Sequence, residues 1–287
     1  MSHLLLPLKR LLVLLLGLIL VWFSAFTFFP WANGRLPQII ALLVTYCFLA
    51  YIGLPALVRF WHLLQKPTHV PTRSLSRDGW ALDPMNIVVL AKNEQEFITA
   101  MKKAGWYTAD KPTLKNNLRF VFSMLFIRPY PTAPFGTHFV FGRRQDLGFQ
   151  IPVGPSPRKR HHVRFWNLGI TLLEGDHEHH GFWRKLLKKF LRKKKQVWVG
   201  AASLDWGINI LVRNLQFDHG INGDTDAERD YIVATLKESG VLKDSIGIKA
   251  GEPLRTRHQG FMETIIADGY VELCELKRQL VPLKRKS

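Results

Sequence analysis

From Leu11 to Phe29 nineteen consecutive positions carry no charge, and only Gly17, Ser24 and Thr27 interrupt the hydrocarbon. A second uncharged run extends from Leu36 to Val58. Each reaches the roughly 20 residues that a helix needs to cross a bilayer core. The segment between them, Pro30-Trp31-Ala32-Asn33-Gly34-Arg35, is short, so the pattern predicts an antiparallel transmembrane hairpin over residues 1–64, with helices at 11–29 and 36–58. Trp22, Trp31 and Trp61 fall near the expected ends, where amphipathic rings favour the interface. A cleaved signal peptide competes for Lys9, Arg10 and the first run. The run is too long for one, however, and its flank Phe26-Thr27-Phe28-Phe29-Pro30 has no small-x-small cleavage site.

Residues 65–84 are rich in Pro, Ser and Thr and read as a tether with some extended structure. The pattern then changes to that of a globular domain over 85–287. Asn86-Ile87-Val88-Val89-Leu90 is a β-branched strand. Asn93 is placed to cap the following helix with Glu96 as its capping-box partner, Phe97, Ile98 and Met101 form its buried stripe, and Gly105 stops it before Trp106. A second helix is expected over 113–127, ahead of Pro129, Pro131 and Pro134. Several strands follow within 137–168, with turns at Gly142, Gly148 and Gly154, and another buried strand at 197–202. A helix over 226–238 ends at Gly240, with strands at 241–249 and 269–276. Strands outnumber helices, and many connections are too short for parallel crossovers. The expected fold is two N-terminal transmembrane helices followed by a mixed α+β domain with a largely antiparallel sheet.

Charge adds direction to this picture. The chain holds 40 basic and 22 acidic residues, yet 1–77 contains seven Lys or Arg and neither Asp nor Glu. Lys9 and Arg10 precede the first run, Arg59, Lys66, Arg73 and Arg77 follow the second, and the connection has Arg35 alone. That asymmetry places both termini on the cytoplasmic side of the inner (plasma) membrane as a multi-pass protein. Cys47 and Cys274 are too few and too far apart in sequence to make a disulfide framework or a cysteine zinc site.

Residues 182–195, Phe-Trp-Arg-Lys-Leu-Leu-Lys-Lys-Phe-Leu-Arg-Lys-Lys-Lys, combine eight basic and six apolar residues. On a helical wheel the apolar residues share one half and Arg184, Lys185, Lys188, Lys189 and Arg192 the other. A helix of this kind suits a membrane interface, with Phe182, Trp183, Leu186 and Phe190 in the acyl boundary and Lys188, Lys189 and Arg192 among anionic headgroups. The same pattern fits a surface helix packed on its own core. Nucleic acid is the least favoured partner of such a run in a chain already tied to a bilayer.

Three polar constellations are candidates for chemistry. Strand alternation across 160–166 puts Arg160, His162 and Arg164 on one face, a donor array suited to a phosphate or carboxylate, or to buried salt bridges. Glu174 to His180 gathers histidines and acids that suit a divalent ion or a solvated loop. Around the helix at 226, Asp218 and His219 precede Asp226, Glu228 and Asp230. Here Asp218, His219 and Asp226 are candidate metal ligands, and His219, Asp226 and Glu228 candidate acid–base residues. A capping box of Thr225 and Glu228 accounts for part of the same pattern. The EF-hand spacing fails, because counting from Asn222 puts Ala227 and Val233 where Gly and Glu belong. No motif calls for a particular cofactor.

Five segments taken in order carry a family resemblance: Asp83-Pro84-Met85-Asn86-Ile87; Ala104-Gly105-Trp106 with Ala109-Asp110; Arg160-His161-His162-Val163-Arg164-Phe165-Trp166; Val197-Trp198-Val199-Gly200-Ala201-Ala202-Ser203 with Asp205; and Asp226-Ala227-Glu228-Arg229-Asp230. Together they resemble the LssY C-terminal domain, a bacterial domain often fused behind membrane modules of the DedA or lipid-phosphate phosphatase type. The resemblance spans residues 80–250 and implies a bilayer setting. It carries over neither an activity nor catalytic residues, and two helices are too little for either membrane module. Two functions are therefore expected to compete. One is a membrane-anchored domain that binds anionic lipid headgroups or a membrane-protein partner. The other is a membrane-surface hydrolase or transferase acting on a phosphorylated lipid or glycan, which requires the 160–166 strand and the 218–230 turn to converge in one pocket.

Overall fold

The computed structural model describes residues 2–64, 72–76, 81–169, 177–191, 195–211, 216–257 and 264–277. It divides into two compact units, Met1–Thr68 with Ile210–Asp218 and His69–Asn209 with His219–Ser287.

In the first unit two helices, Leu8–Asn33 and Gln38–Trp61, are long and apolar enough to cross a membrane. The first exceeds its expected span at both ends, because Pro30–Asn33 continues the helix instead of forming the loop, and the second begins at Gln38 and runs on to Trp61. Lys9 Nζ donates to Leu64 O, so the start of one helix meets the end of the other, as an antiparallel hairpin requires. Gly17 faces Leu57, Gly53 faces Leu20, and Phe28 stacks on Phe48 at 4.5 Å between ring centroids. Each helix contains one π-helical turn, Ser24–Phe28 and Leu49–Gly53. Pro30 and Pro55 explain both. A proline ring clashes with the carbonyl four residues earlier, here Phe26 and Tyr51, and a widened turn at that residue relieves the clash.

The second unit is built on an eight-stranded sheet, in which β1 (Arg73–Leu75) and β2 (Ala81–Pro84) take no part. Its members are β3 (Ile87–Ala91), β4 (Tyr107–Thr108), β7 (Leu147–Pro152), β8 (Arg160–Asn167), β9 (Gln196–Leu211), β10 (Gln216–Asn222), β11 (Leu242–Lys249) and β14 (Tyr270–Leu276). The order is β11-β14-β3-β9-β8-β7-β4, with β10 beside β9. Along that path only β14 and β3 run parallel. β1 and β2 join β5 (Phe139–Val140) and β6 (Arg143–Arg144) in a small antiparallel sheet, and β12 (Leu254–Arg257) pairs with β13 (Thr264–Ala267). The expected tether therefore already contains two strands: Ser74 is buried, its hydroxyl bonded to Asp83 O.

The large sheet is covered on both faces. Ile87, Val89, Phe149, Val163, Phe165 and Trp198 pack with helices Glu94–Lys103 and Thr225–Glu238. Val88, Leu90, Trp166, Val197, Val199 and Leu273 form a second cluster with Trp183 and Leu187. This explains why β3 reads as an unbroken apolar run, since both of its faces are buried. Gly200 sits where a Cβ would lie 2.5 Å from Phe165 and 2.8 Å from Ile87, so the strands close only without a side chain there.

Caps follow local rules with one substitution. Asn93 accepts from Glu96 N, and Glu96 reaches back to Lys92 N, as expected. At the later helix the cap is Asp224, which accepts from Ala227 N, so the expected Thr225–Glu228 box does not form. Tertiary contacts take both residues away: Thr225 Oγ1 donates to Ile266 O and Glu228 turns to His161. Gly148 lies inside β7 rather than at a turn, beneath the Phe135 ring. Gly142 and Gly154 do take positive φ.

Candidate functional site: a buried ion network on one sheet face

Alternation along β8 turns Arg160, His162 and Arg164 to the same face, as the sequence indicated. The β8–β9 register then places Asp205 opposite Arg160 and Ser203 opposite His162. β2 contributes Asp83, and the segment 133–136 covers the cluster. Arg160 Nε donates to Asp205 Oδ2 at 2.8 Å, and its Nη1 donates to Gln150 Oε1 at 3.0 Å and to the carbonyls of Ala133 and Pro134. Arg164 Nη1 lies 3.1 Å from Asp83 Oδ2, and its Nε donates to Gly136 O. The Phe135 ring stands 4.8 Å from the Arg164 guanidinium and 5.2 Å from the His162 ring.

His162 lies between the two pairs. Its Nε2 is 2.7 Å from Arg164 Nη1 and 3.1 Å from Ser203 Oγ, and its Nδ1 is 3.3 Å from Asp205 Oδ1. A guanidinium has only donors, so Nε2 is the acceptor in its contact with Arg164.

Two guanidiniums and two carboxylates cancel, and Arg160, His162, Arg164, Asp83 and Asp205 are each 5% exposed or less. Of the two readings of this face, an external anion or buried salt bridges, the observed contacts are the salt bridges, to the domain's own Asp205 and Asp83. An unpaired charge at such depth costs several kcal/mol, and the fold supplies a partner for each. Within the cluster Arg160 Nη2 has no partner among the described residues.

Ser203, His162 and Asp205 have the spacing of a nucleophile, a base and its orienting acid, a grouping that sequence separation concealed. Its chemistry is blocked, because Ser203 is fully buried, its hydroxyl is 3.2 Å from Asp83 Oδ2, and Arg164 occupies the Nε2 lone pair.

The opposite face of β8 meets the helix Thr225–Glu238. His161 Nδ1 lies 2.8 Å from Glu228 Oε2, and its ring stacks on Tyr231 at 4.0 Å. Burial pushes the Glu228 carboxyl up, against the pull of His161, and its Oε1 has no partner among the described residues. The strand therefore meets the later helix through His161, on the face opposite Arg160, His162 and Arg164, and not in one pocket with them. A few positions on, Asp226 belongs to a surface cluster with Arg229 and Asp268, where Asp226 Oδ2 accepts from Asp268 N. Burial raises Asp226 to about 6, against the pull of Arg229 and with the Asp268 charge adding to the rise. The side chains of Asp218 and His219 lie outside the described residues, as do 174–176 of the histidine-rich segment. From His177 onward that segment is helix, not loop. Among the described residues no group of three or more His, Cys, Asp or Glu side chains is placed to hold a metal.

The basic segment forms helices His177–Leu186 and Lys188–Leu191, broken at Leu187, with 192–194, and so Arg192, outside the described residues. Trp183 and Leu187 are wholly buried in the second core cluster, and Phe182, Leu186 and Phe190 pack on it. The apolar half that the sequence assigned to acyl chains covers the domain's own sheet instead. Arg184, Lys185, Lys188 and Lys189 stay exposed.

These features define a protein with two long apolar N-terminal helices and an α+β domain whose polar core is closed. The model of the LssY C-terminus family matches residues 67–271, more than two thirds of the chain, and the protein belongs to that family. Comparison with curated proteins and with solved structures returns no match.

Proposed function

We propose that this is a multi-pass inner-membrane protein, with both termini in the cytoplasm, whose C-terminal domain binds anionic lipid headgroups or a membrane-protein partner without turning over a substrate. The exposed row Arg184, Lys185, Lys188 and Lys189 carries this reading. Its apolar side is consumed by the core, so the row acts by charge alone, and each cation near an anionic surface contributes about 1 kcal/mol at most. Such binding weakens as salt rises. The closure of the Arg160/His162/Arg164 cluster supports binding over turnover, since no ligand has a free guanidinium face to approach. The hydrolase or transferase reading draws on the His161–Glu228 pair, in which Glu228 keeps an uncommitted oxygen.

The test is trypsin cleavage at the cation row of the full chain, reconstituted in vesicles of phosphatidylcholine alone or with phosphatidylglycerol. Slower cleavage in the anionic vesicles, reversed by salt, is the expected result. Equal rates in both would remove the headgroup reading. Release of phosphate from a phosphorylated lipid, lost in Glu228→Gln, would replace it with the enzymatic one.

A further inference from the structure

The helix Leu114–Leu125 is built inside out. Asn116, Phe120, Ser123 and Met124 form its packed side, with Ser123 buried and Met124 O accepting from Arg158 Nε. At 100° per residue Leu114, Leu118, Val121, Phe122 and Leu125 form a stripe about 100° wide, centred about 160° away from that packed side. Every one of these five is at least half exposed, and Phe126 and Ile127 continue the stripe at 62% and 54%. The Phe122 and Phe126 rings lie nearly parallel, with centroids 6.0 Å apart, on this outer surface.

Two features show that the stripe is more than leftover apolar surface. Ile127 ends the helix at φ +50°, where Arg128 N bonds to Ser123 O. Glycine is the residue that fits this position, and a β-branched side chain there is strained. The chain thus keeps a large exposed apolar group where backbone sterics oppose it. Charge is also one-sided: residues 111–128 contain four Lys or Arg and no Asp or Glu, and the carboxylate of Asp110 just before them is engaged by the Tyr130 and Thr132 hydroxyls. Lys111, Lys115, Arg119 and Arg128 are all exposed around the helix.

We propose that this stripe is a second membrane contact, an interfacial helix that lies in the headgroup–acyl boundary of the bilayer holding the two spans. An apolar face flanked by cations matches a lipid surface better than the mixed-charge rim of a protein interface. Eight residues separate Leu64 from Arg73, at most about 30 Å of chain at full extension. The inference rests on the reading that the spans are in a membrane. It differs from the headgroup proposal in using apolar insertion, which does not require anionic lipid.

The experiment is spin labelling of the full chain in a Cys47→Ser background. Cys274 is buried, and burial pushes its thiol up, so it stays unlabelled. Labels at Leu118→Cys, Phe122→Cys and, as an aqueous control, Asp244→Cys are read by collision with oxygen and with a nickel chelate. In phosphatidylcholine vesicles the first two are expected to favour oxygen over nickel several-fold more than the control does. Nickel access at Phe122→Cys equal to the control overturns the inference, provided that carbonate-washed vesicles retain the chain. Loss of the chain on washing instead overturns the reading of the spans. Spin–spin broadening at Phe122→Cys that persists in detergent assigns the stripe to a second copy and overturns the lipid contact.

Discussion

Replacing Arg160 by Met tests whether the cluster on β8 is a closed structural element. The side chains of Arg160 and Asp205 are 1% and 3% exposed, and their pair spans 2.8 Å. Removing the guanidinium leaves the Asp205 carboxylate buried without its cationic partner. It also strips the donor from Gln150 Oε1 and Pro134 O, whereas Ala133 O keeps Gln150 Nε2. Breaking one side of a buried pair costs about 3–5 kcal/mol. Against a total stability of roughly 5–15 kcal/mol, that is a large fraction. For a domain near 200 residues it lowers the melting temperature by about 6–20 °C. The assay is urea and thermal unfolding of the full chain in mild detergent, followed by fluorescence of the core residues Trp106, Trp166 and Trp198. The double variant Arg160→Met/Asp205→Leu should recover at least about 2 kcal/mol of the summed single losses, because an apolar pair of similar volume leaves no orphaned charge. A loss below about 1 kcal/mol for Arg160→Met would refute the reasoning. Stabilisation of the wild type by inorganic phosphate would refute it as well, because any ligand that binds the folded state raises its stability.

Two further outcomes are expected. Trp183→Ala should destabilise the detergent-solubilised protein by about 3–5 kcal/mol, since Trp183 is fully buried, while Lys188→Glu should stay within about 0.5 kcal/mol; comparable small effects in melting scans would return Trp183 to the membrane interface. For Asp226, the carboxyl titrates near 6 in the folded chain against an ordinary 3.8, so the folded state holds the extra proton between those values. Its contribution is present below about 4 and lost as pH rises through 6. Arg229, Asp268 and Asp224 face this group. Asp226→Asn, which keeps an acceptor for Asp268 N, should flatten the fall in melting temperature between those two pH values relative to the wild type. Parallel curves would place the titration elsewhere.

How far the sequence could be read depended on the range of the interaction. The helix at Asn93 was legible because its cap and its stop at Gly105 lie within a dozen residues. The Thr225–Glu228 box failed for the opposite reason: His161 and Ile266 are distant in sequence, and their claims on those two side chains exceed a local cap. Alternation along 160–166 correctly sorted Arg160, His162 and Arg164 onto one face. It allowed buried salt bridges there without naming Asp205 and Asp83 as the partners, because pairing across strands depends on register. For the basic segment, periodicity separated the apolar half from the cationic half, but two environments, a bilayer and a sheet, accept the same stripe.

Along-chain pattern alone determined the two apolar spans, the asymmetry of charge around them, the α+β character of the remainder and the positions of its main strands and helices, all of which follow from contacts a few residues apart. Tertiary structure decided which polar residues are free. It neutralised Arg160 and Arg164 with acids from other strands, joined His161 to Glu228 across the opposite face, buried Trp183, and left the stripe from Leu114 to Ile127 uncovered. Burial and partnership belong to pairs of residues far apart in the chain, and the free energy of a charge or an apolar ring depends on what the fold brings against it.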